Sequence, residues 1–331
     1  MLPLPEGFSF RVFESDCFDL LKTLPDSSVD LICIDPPYFR VKSDDWDNCW
    51  PSESAFLDWL EKVFLECDRV LASHGSFYVF AAGKMSSRVE ERARRALKVL
   101  NHIVWVKPSG LFQKHCKEKL RNYLPASERI IFGEKSGSCA YKRAAAKISA
   151  EVMSPLISYF AAARAQSGVT NTEINAATGT QMAGHWFTSS QWQLPSEDTY
   201  KTLQGLMPQL DRSYESLQEE LKELQAISLE KQQDAKCLRR HFSVSKEVPY
   251  TDIWHFKPVQ YYPGKHPCEK PADLIEHIVT ASSRPGDVVL DFFMGSASTG
   301  KAALKHGRRF IGADMNKDLV NNANKVLKTY L

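Results

Sequence analysis

The chain has 331 residues, 43% hydrophobic and 25% charged, with a formal net charge of +2. That length exceeds a typical single domain and predicts one substantial core plus a smaller inserted or appended one, while the composition excludes wholesale disorder and a fibrous fold. Bulk charge neither implies nor excludes a nucleic-acid partner, which would have to be met by a local basic face.

The N-terminal stretch lacks the basic start and apolar run of a signal peptide, and no apolar run approaches membrane-spanning length, so a cytoplasmic location off the membrane is expected. The eight cysteines are scattered, with no CxxC pair and no Cys/His cluster at ligand spacing; they read as reduced thiols, and no metal is expected.

Apolar runs at 8–13, 29–34, 76–80, 103–106 and 129–132 predict strands, separated by amphipathic helices such as 54–71 and 84–100. The alternation predicts an α/β fold with a mainly parallel, helix-covered sheet over 1–134. Between 135 and 248 the signals become purely helical, which marks an inserted domain. Within it Ser154-Pro155 opens one helix, and Thr170-Asn-Thr-Glu173 has the form of a capping box opening another. Gly179 follows, and a third short helix is predicted over 180–189. Two short helices around a glycine turn, with Gln181, His185, Thr188 and Ser189 on the second, suit a helix-turn-helix reader of a DNA major groove. A small helical bundle without groove contact fits the same residues equally well. A long charged helix over 211–242 spaces Tyr214, Leu217, Leu221 and Leu224 like a short coiled coil; packing within the chain is favoured over a homodimer seam. From 249 to 331 the strand and helix pattern resumes: helix 272–281, strand 287–292, helix 298–306, strand 309–313 and helix 317–330. The final helix is expected to bring the chain back to the first strand and close one continuous sheet.

The sharpest motif is Asp35-Pro36-Pro37-Tyr38, directly after the predicted strand 29–34 and so at the carboxyl edge of the sheet, where such folds bind ligands. Two prolines fix φ and remove two N–H donors, so the Asp35 carboxylate and the Pro36 carbonyl can present acceptors at a preset geometry. An exocyclic amine held there by both hydrogens would have its lone pair localised and aimed, with Tyr38 offering a ring for stacking a base.

A second motif runs from Asp287 to Gly300: a buried strand, a turn of small residues around Gly295, then a helix, with Asp314 ending the next strand. It is a nucleotide-type βαβ unit in which the acidic residue can accept from ribose hydroxyls. Gly295, Gly300 and Lys301 nearly spell a phosphate-binding loop, but Ala302 stands where magnesium binding needs Ser or Thr, so a non-phosphorylated adenosine cofactor fits better.

Together these residues resemble the DNA amino-methyltransferases of the permuted class in which DPPY precedes the cofactor motif. Asp291-Phe-Phe-Met-Gly-Ser-Ala-Ser-Thr299 is similar to the family's D-P-F-x-G-S-G-T, and Lys265-His-Pro-Cys-Glu-Lys-Pro271 to its H-P-T-Q-K-P. The resemblance covers 9–134 and 250–331 and implies a Rossmann-like fold with an inserted helical target-recognition domain. It implies S-adenosylmethionine as cofactor, bound by Asp16, Asp35, Lys270, Asp291, Phe292, Phe293, Gly295, Ser296, Thr299, Asp314 and Met315. Asp16 would contact the adenine of the cofactor; it would equally serve as a helix cap. The catalytic set is Asp35, Pro36, Pro37 and Tyr38, acting on adenine N6, because the family usually carries Ser in place of the first Asp when cytosine N4 is the target. Bacterial or phage-borne restriction-modification is the implied setting.

The sequence departs from the family at Phe292, usually Pro, and at Ala297, usually Gly; the loop is expected to survive if position 297 does not require positive φ. No Pro-Cys nucleophile follows a strand, which disfavours carbon methylation. Phe39, Trp46 and Asp47 are candidates to cover a flipped base. Double-stranded DNA would be met by the insertion, through Lys142, Arg143, Lys147, Arg164, Arg239, Arg240 and His241 on phosphates and through Gln181, His185, Thr188 and Ser189 on bases.

Overall fold

The computed structural model describes residues 7–331 except 42–44, 108–120, 122, 124, 138–139, 190, 235–237, 245–250 and 264. The chain divides into two compact units, Met1–Gly137 with Arg240–Leu331, and Ser138–Arg239.

In the first unit, strand β1 (Phe10–Glu14) leads to helix α1 (Cys17–Thr23) and strand β2 (Val29–Ile34). Helices α2 (Asp45–Asn48) and α3 (Glu53–Val70) precede strand β3 (Leu71–Ala82), helix α4 (Ser86–Ala96) and strands β4 (Lys98–Val106) and β5 (Ser127–Glu134). The second unit holds helices α5 (Ala140–Val152), α6 (Ser154–Ser167), α7 (Asn171–Thr178), α8 (Ala183–Phe187), α9 (Glu197–Leu206) and α10 (Tyr214–Asp234). The first unit then resumes with strand β6 (Ile253–Trp254), helix α11 (Ala272–Ser282), strand β7 (Val288–Asp291), helix α12 (Ser298–Lys305), strand β8 (Arg309–Asp314) and helix α13 (Lys317–Leu327).

The sheet runs β1-β8-β7-β2-β3-β5-β4-β6. All pairings are parallel except those of β5 with β3 and β4, so the expected mainly parallel sheet is found, with β5 running against its neighbours. β2 is apolar almost throughout, as a strand covered on both faces must be. Leu21, Phe56, Leu60, Phe64 and Phe77 fill the core on one face; Tyr78, Trp105, Ile278, Val289 and Phe310 fill it on the other. Asp30, at the start of β2, accepts from the Val288 amide at 2.8 Å and meets His74 at 2.9 Å, which pins β7 and the β3 region to β2. β1 pairs with β8 and α13 packs on β1, so the two ends of the chain close the sheet as expected.

Several elements differ from the sequence expectation. The helix predicted over 84–100 stops at Ala96, because Leu97 turns extended and the strand that follows buries Ile103 and Trp105 on one face of the sheet, with Val99 on the other across a register shift. β3 begins at Leu71 rather than 76, immediately after α3. The third short helix of the insertion shrinks from 180–189 to Ala183–Phe187. The long helix ends at Asp234, and its Leu217, Leu221 and Leu224 pack on a core of Leu156, Phe160, Ile174 and Tyr200 within the second unit, which uses the stripe internally. The Thr170 capping box forms in full, with Glu173 reaching back to the Thr170 amide at 2.8 Å, and Gly179 ends α7 in the left-handed region.

Among the described residues, no helix is long and apolar enough to cross a membrane.

Candidate active site

Strands β2 and β7 are hydrogen-bonded neighbours running in the same direction, with Leu31 opposite Val289 and Ile32 opposite Leu290. The segments that follow them, Asp35–Tyr38 and Asp291–Gly295, therefore leave the sheet at the same edge. β8 lies on the other side of β7 and ends in Asp314, and Asp16 follows β1 beyond it; the Ser15 amide bonds the Asp314 carbonyl at 3.1 Å. Four carboxylates far apart in sequence are thus gathered along one rim, the edge at which parallel sheets bind ligands.

Asp35 is bonded through both oxygens: Oδ2 accepts from Lys270 Nζ, and Oδ1 accepts from the Tyr38 hydroxyl at 2.5 Å. Burial raises the Asp35 carboxyl above the usual range, Lys270 pulls it back, and nearby Glu128 raises it further. Burial would lower Lys270, but Asp35 and Glu128 outweigh it and hold the ammonium above its ordinary value. Glu128, on β5, accepts from Lys107 through Oε1 and stands 3.7 Å from Lys270 through Oε2. Burial would raise it, and the two lysines bring it below the usual range. Burial followed by the two carboxylates drives the Tyr38 phenol well up, so it remains a donor. The sequence reading made Tyr38 a stacking platform; here its hydroxyl is turned onto Asp35, and Lys270 lies 5.6 Å from its ring centre.

The loop after the motif carries two consecutive non-glycine residues at positive φ, Phe39 at 59° and Arg40 at 57°. Asp47 holds it there. Its Oδ1 accepts from the Tyr38 amide at 2.7 Å and its Oδ2 from the Val41 amide at 2.6 Å. Asp47 is fully buried, so its expected role as a cover for the base is replaced by that of a brace. Phe39 stacks on Phe56 at 5.6 Å instead of standing free. The side chain of Trp46 lies outside the described residues.

At the second motif, Asp291 accepts from the Phe293 amide at 3.1 Å and is raised to about 7, chiefly by burial, with Thr299 and that amide opposing and Asp35 and Asp314 adding to the rise. Asp314 accepts from the Gly295 amide at 3.0 Å and the Asn316 amide at 2.9 Å, so it shapes the turn. Gly295 has φ of 47°, and a Cβ there would meet the His266 ring at 3.0 Å. The close approach that the glycine permits is made by the Lys265–Pro271 segment of the chain itself. Ala297 sits at φ 57° and ψ 32° with no exposed surface, so the proviso attached to this position fails: positive φ is required, and alanine adopts it at a cost of about 1–2 kcal/mol. Phe292, expected to touch the cofactor, is 2% exposed and turned into the core, whereas Phe293 remains partly exposed beside Trp59 at 6.0 Å. Ser296 bonds Ser298 at 3.0 Å, and Met315 is 75% exposed. Asp16 caps α1 through the Phe18 amide at 2.8 Å while lying on the same rim, so its two readings are compatible.

Gln181 is exposed and accepts from Asn175 at 3.1 Å; Thr188 bonds back to the Gly184 carbonyl at 2.7 Å, and Ser189 is exposed. His185 is half-buried, with Nδ1 unpartnered. Arg143, Lys147 and Arg164 lie in the second unit, as does Arg239, and Lys142 falls outside the described side chains. Arg240 belongs to the sheet unit, where its Nε pairs with Glu134 at 2.8 Å and its guanidinium lies over Phe132 and Phe242. His241 is in the sheet unit too, its imidazole lowered first by burial and then by Arg284.

Glu128, Lys107 and His266 escaped the sequence reading as site residues. The available signal was a carboxylate opening an apolar strand, at Glu128, and a histidine five residues before Pro271; neither states its partner without the sheet order.

A family model described as DNA methylase matches residues 29–325. The type II methyltransferase M1.MboII of Moraxella bovis is 27% identical over 330 residues, covering 96% of each chain. The DNA adenine methyltransferase YhdJ of Escherichia coli K12 is 25% identical over 313 residues, 93% of this chain and 79% of that one. Among solved structures, the cytosine-N4-specific PvuII DNA methyltransferase superposes with a TM-score of 0.54 at 14% identity, covering 97% of this chain and 91% of the other.

Proposed function

The chain belongs to the N6/N4 DNA methylase family, and from that premise we propose that it transfers a methyl group from S-adenosylmethionine to N6 of an adenine swung out of duplex DNA. The observation that carries this reading is the β2–β7 pairing, which sets Asp35 beside the glycine turn at one sheet edge. Asp35 and the Pro36 carbonyl accept the two amine hydrogens, which keeps the nitrogen lone pair out of the ring and directs it along one line. The charge that develops on the nitrogen faces the Asp35 carboxylate, so this residue is both positioner and electrostatic stabiliser.

The rim residues fit the proposed cofactor. Asp314 and Asp16 supply acceptors suited to an adenosine's hydroxyls and amine, Phe293 supplies a partly exposed ring, and the backbone of 292–296 is set by Asp291 and Asp314. When bound, S-adenosylmethionine supplies an electrophilic methyl on a sulfonium. The chain's own part is orientation and exclusion of water, with no covalent nucleophile.

Adenine is favoured over cytosine because Asp35 opens the motif, and the Escherichia coli relative is named for adenine. Cytosine N4 would use the same amine geometry and is the target named for the PvuII structure. The helical unit is the proposed DNA reader, through Gln181, His185, Thr188 and Ser189 with Arg239, in a protein acting on cytoplasmic DNA. Mass spectrometry of nucleosides from treated DNA decides the base: N6-methyladenine is expected, and N4-methylcytosine alone overturns the assignment. Asp35→Ala is expected to abolish transfer while retaining DNA affinity; unchanged transfer rejects its role.

A further inference from the structure

Lys270 stands between two carboxylates. Its Nζ bonds Asp35 Oδ2 and lies 3.7 Å from Glu128 Oε2, with its side chain only 10% exposed and rings of Phe80 and Tyr38 on either hand. In this arrangement Asp35 already accepts two strong hydrogen bonds, one of them from a cation. One oxygen is taken by Lys270 and the other by the Tyr38 hydroxyl, and its charge is cancelled by an adjacent ammonium. Each oxygen keeps a second lone pair for an incoming amine, but a carboxylate offsets a developing cation best when no adjacent ammonium cancels its charge. The charge of Asp35 therefore serves the attacking nitrogen best once Lys270 has turned away from it. A buried ammonium cannot simply be abandoned, because an unpaired charge in such a place costs several kcal/mol.

Glu128 is built to receive it. Its Oε1 is held by Lys107, which fixes the carboxylate, and its Oε2 faces Lys270. Closing from 3.7 Å to an ordinary charge-assisted bond of about 2.8 Å needs a movement of about 1 Å, within reach of a flexible four-carbon stem. We propose that Glu128 is a positioning residue of the transfer reaction: it takes up the Lys270 ammonium when the target amine takes up Asp35. No bond is made or broken in the exchange, and the two carboxylates and two lysines keep a net charge of zero throughout. The inference rests on the amine-transfer reading above, and it adds a ligand-driven ion-pair exchange to that site.

The test follows tritiated methyl transfer from S-adenosylmethionine to unmethylated genomic DNA by the full chain and its Glu128→Gln, Lys270→Met and doubly substituted variants. Glu128→Gln is expected to lower kcat about tenfold or more, with KM for S-adenosylmethionine within about twofold. The double variant is expected to be no slower than Lys270→Met alone, since without the ammonium there is nothing for Glu128 to receive. Unchanged kcat in Glu128→Gln, or losses that multiply in the double variant, overturns the proposal. Should Glu128→Gln fail to fold, Glu128→Asp with and without Lys270→Met carries the same comparison. Absence of DNA methylation by the wild type overturns the reaction itself and is read before any variant.

Discussion

The amide of Tyr38 donates to the carboxylate of Asp47 at 2.7 Å, across nine residues of chain. The same carboxylate takes the Val41 amide, so one buried side chain braces the backbone leaving the Asp35–Tyr38 motif. Asp47→Ala strands two donors and is expected to destabilise the protein by about 2 kcal/mol, while lowering transfer at least about tenfold. Asp47→Asn retains one acceptor and should fall between. Urea denaturation and methyl transfer measured side by side check this; full activity in Asp47→Ala would show that the loop is set by other contacts.

Position 297 gives a prediction with opposite outcomes for two substitutions. Ala297→Gly relieves the left-handed backbone, about 1–2 kcal/mol, but loses a buried methyl and frees the unfolded chain, about 1–2 kcal/mol together, so stability should change by less than about 1 kcal/mol. Ala297→Val forces a branched side chain into the same φ and into a filled core, and should cost about 3 kcal/mol or more. Calorimetric titration with S-adenosylmethionine should then find binding intact in the first variant and lost in the second. A valine variant as stable as the parent would contradict the geometry.

Burial first, and the neighbouring Asp35 and Asp314 after it, raise the Asp291 carboxyl to about 7 against the opposing bonds from Thr299 and Phe293. An acid raised in the fold binds its proton more tightly there than in the unfolded chain. Its contribution to stability is therefore greatest below about 4 and declines as pH rises to about 7. Asp291→Asn, which can still accept from the Phe293 amide, should flatten that decline. Urea midpoints at about pH 5 and about pH 8 measure it, and an equal slope in both proteins would exclude Asp291 as its source.

Lys270 holds Asp35 lower than burial alone would leave it. Removing the ammonium in Lys270→Met should move Asp35 further up, and since the proposed transfer uses the ionised carboxylate, the acid limb of kcat should shift to higher pH. An acid limb in its original place would mean that another group controls it.

Much of this was legible in the sequence because it rests on local rules. Val29–Ile34 reads as a buried strand, Asp35 to Tyr38 as a rigid acceptor pair, and Thr170 to Glu173 as a helix start. What escaped is set by strand order. Nothing in the residues around Glu128 states that β5 turns antiparallel beside β3, and only that placement brings its carboxylate to Lys270. Asp47 misled for a related reason: an acid beside a tryptophan after the motif suggests a substrate contact, and its backbone partners emerge only when the loop closes on itself. At position 297 the sequence leaves the sign of φ open, and the Met294 and Asp314 contacts around the turn decide it.

The bond from Val288 to Asp30 joins residues 258 positions apart, and it sits at the seam where the two segments of the sheet meet. Contacts of such long range are assembled late, because a large stretch of chain has to be closed before they give anything back. The Asp35–Tyr38 corner and the glycine turn depend on that one seam for their shared position. A disturbance of the seam is expected to reach both.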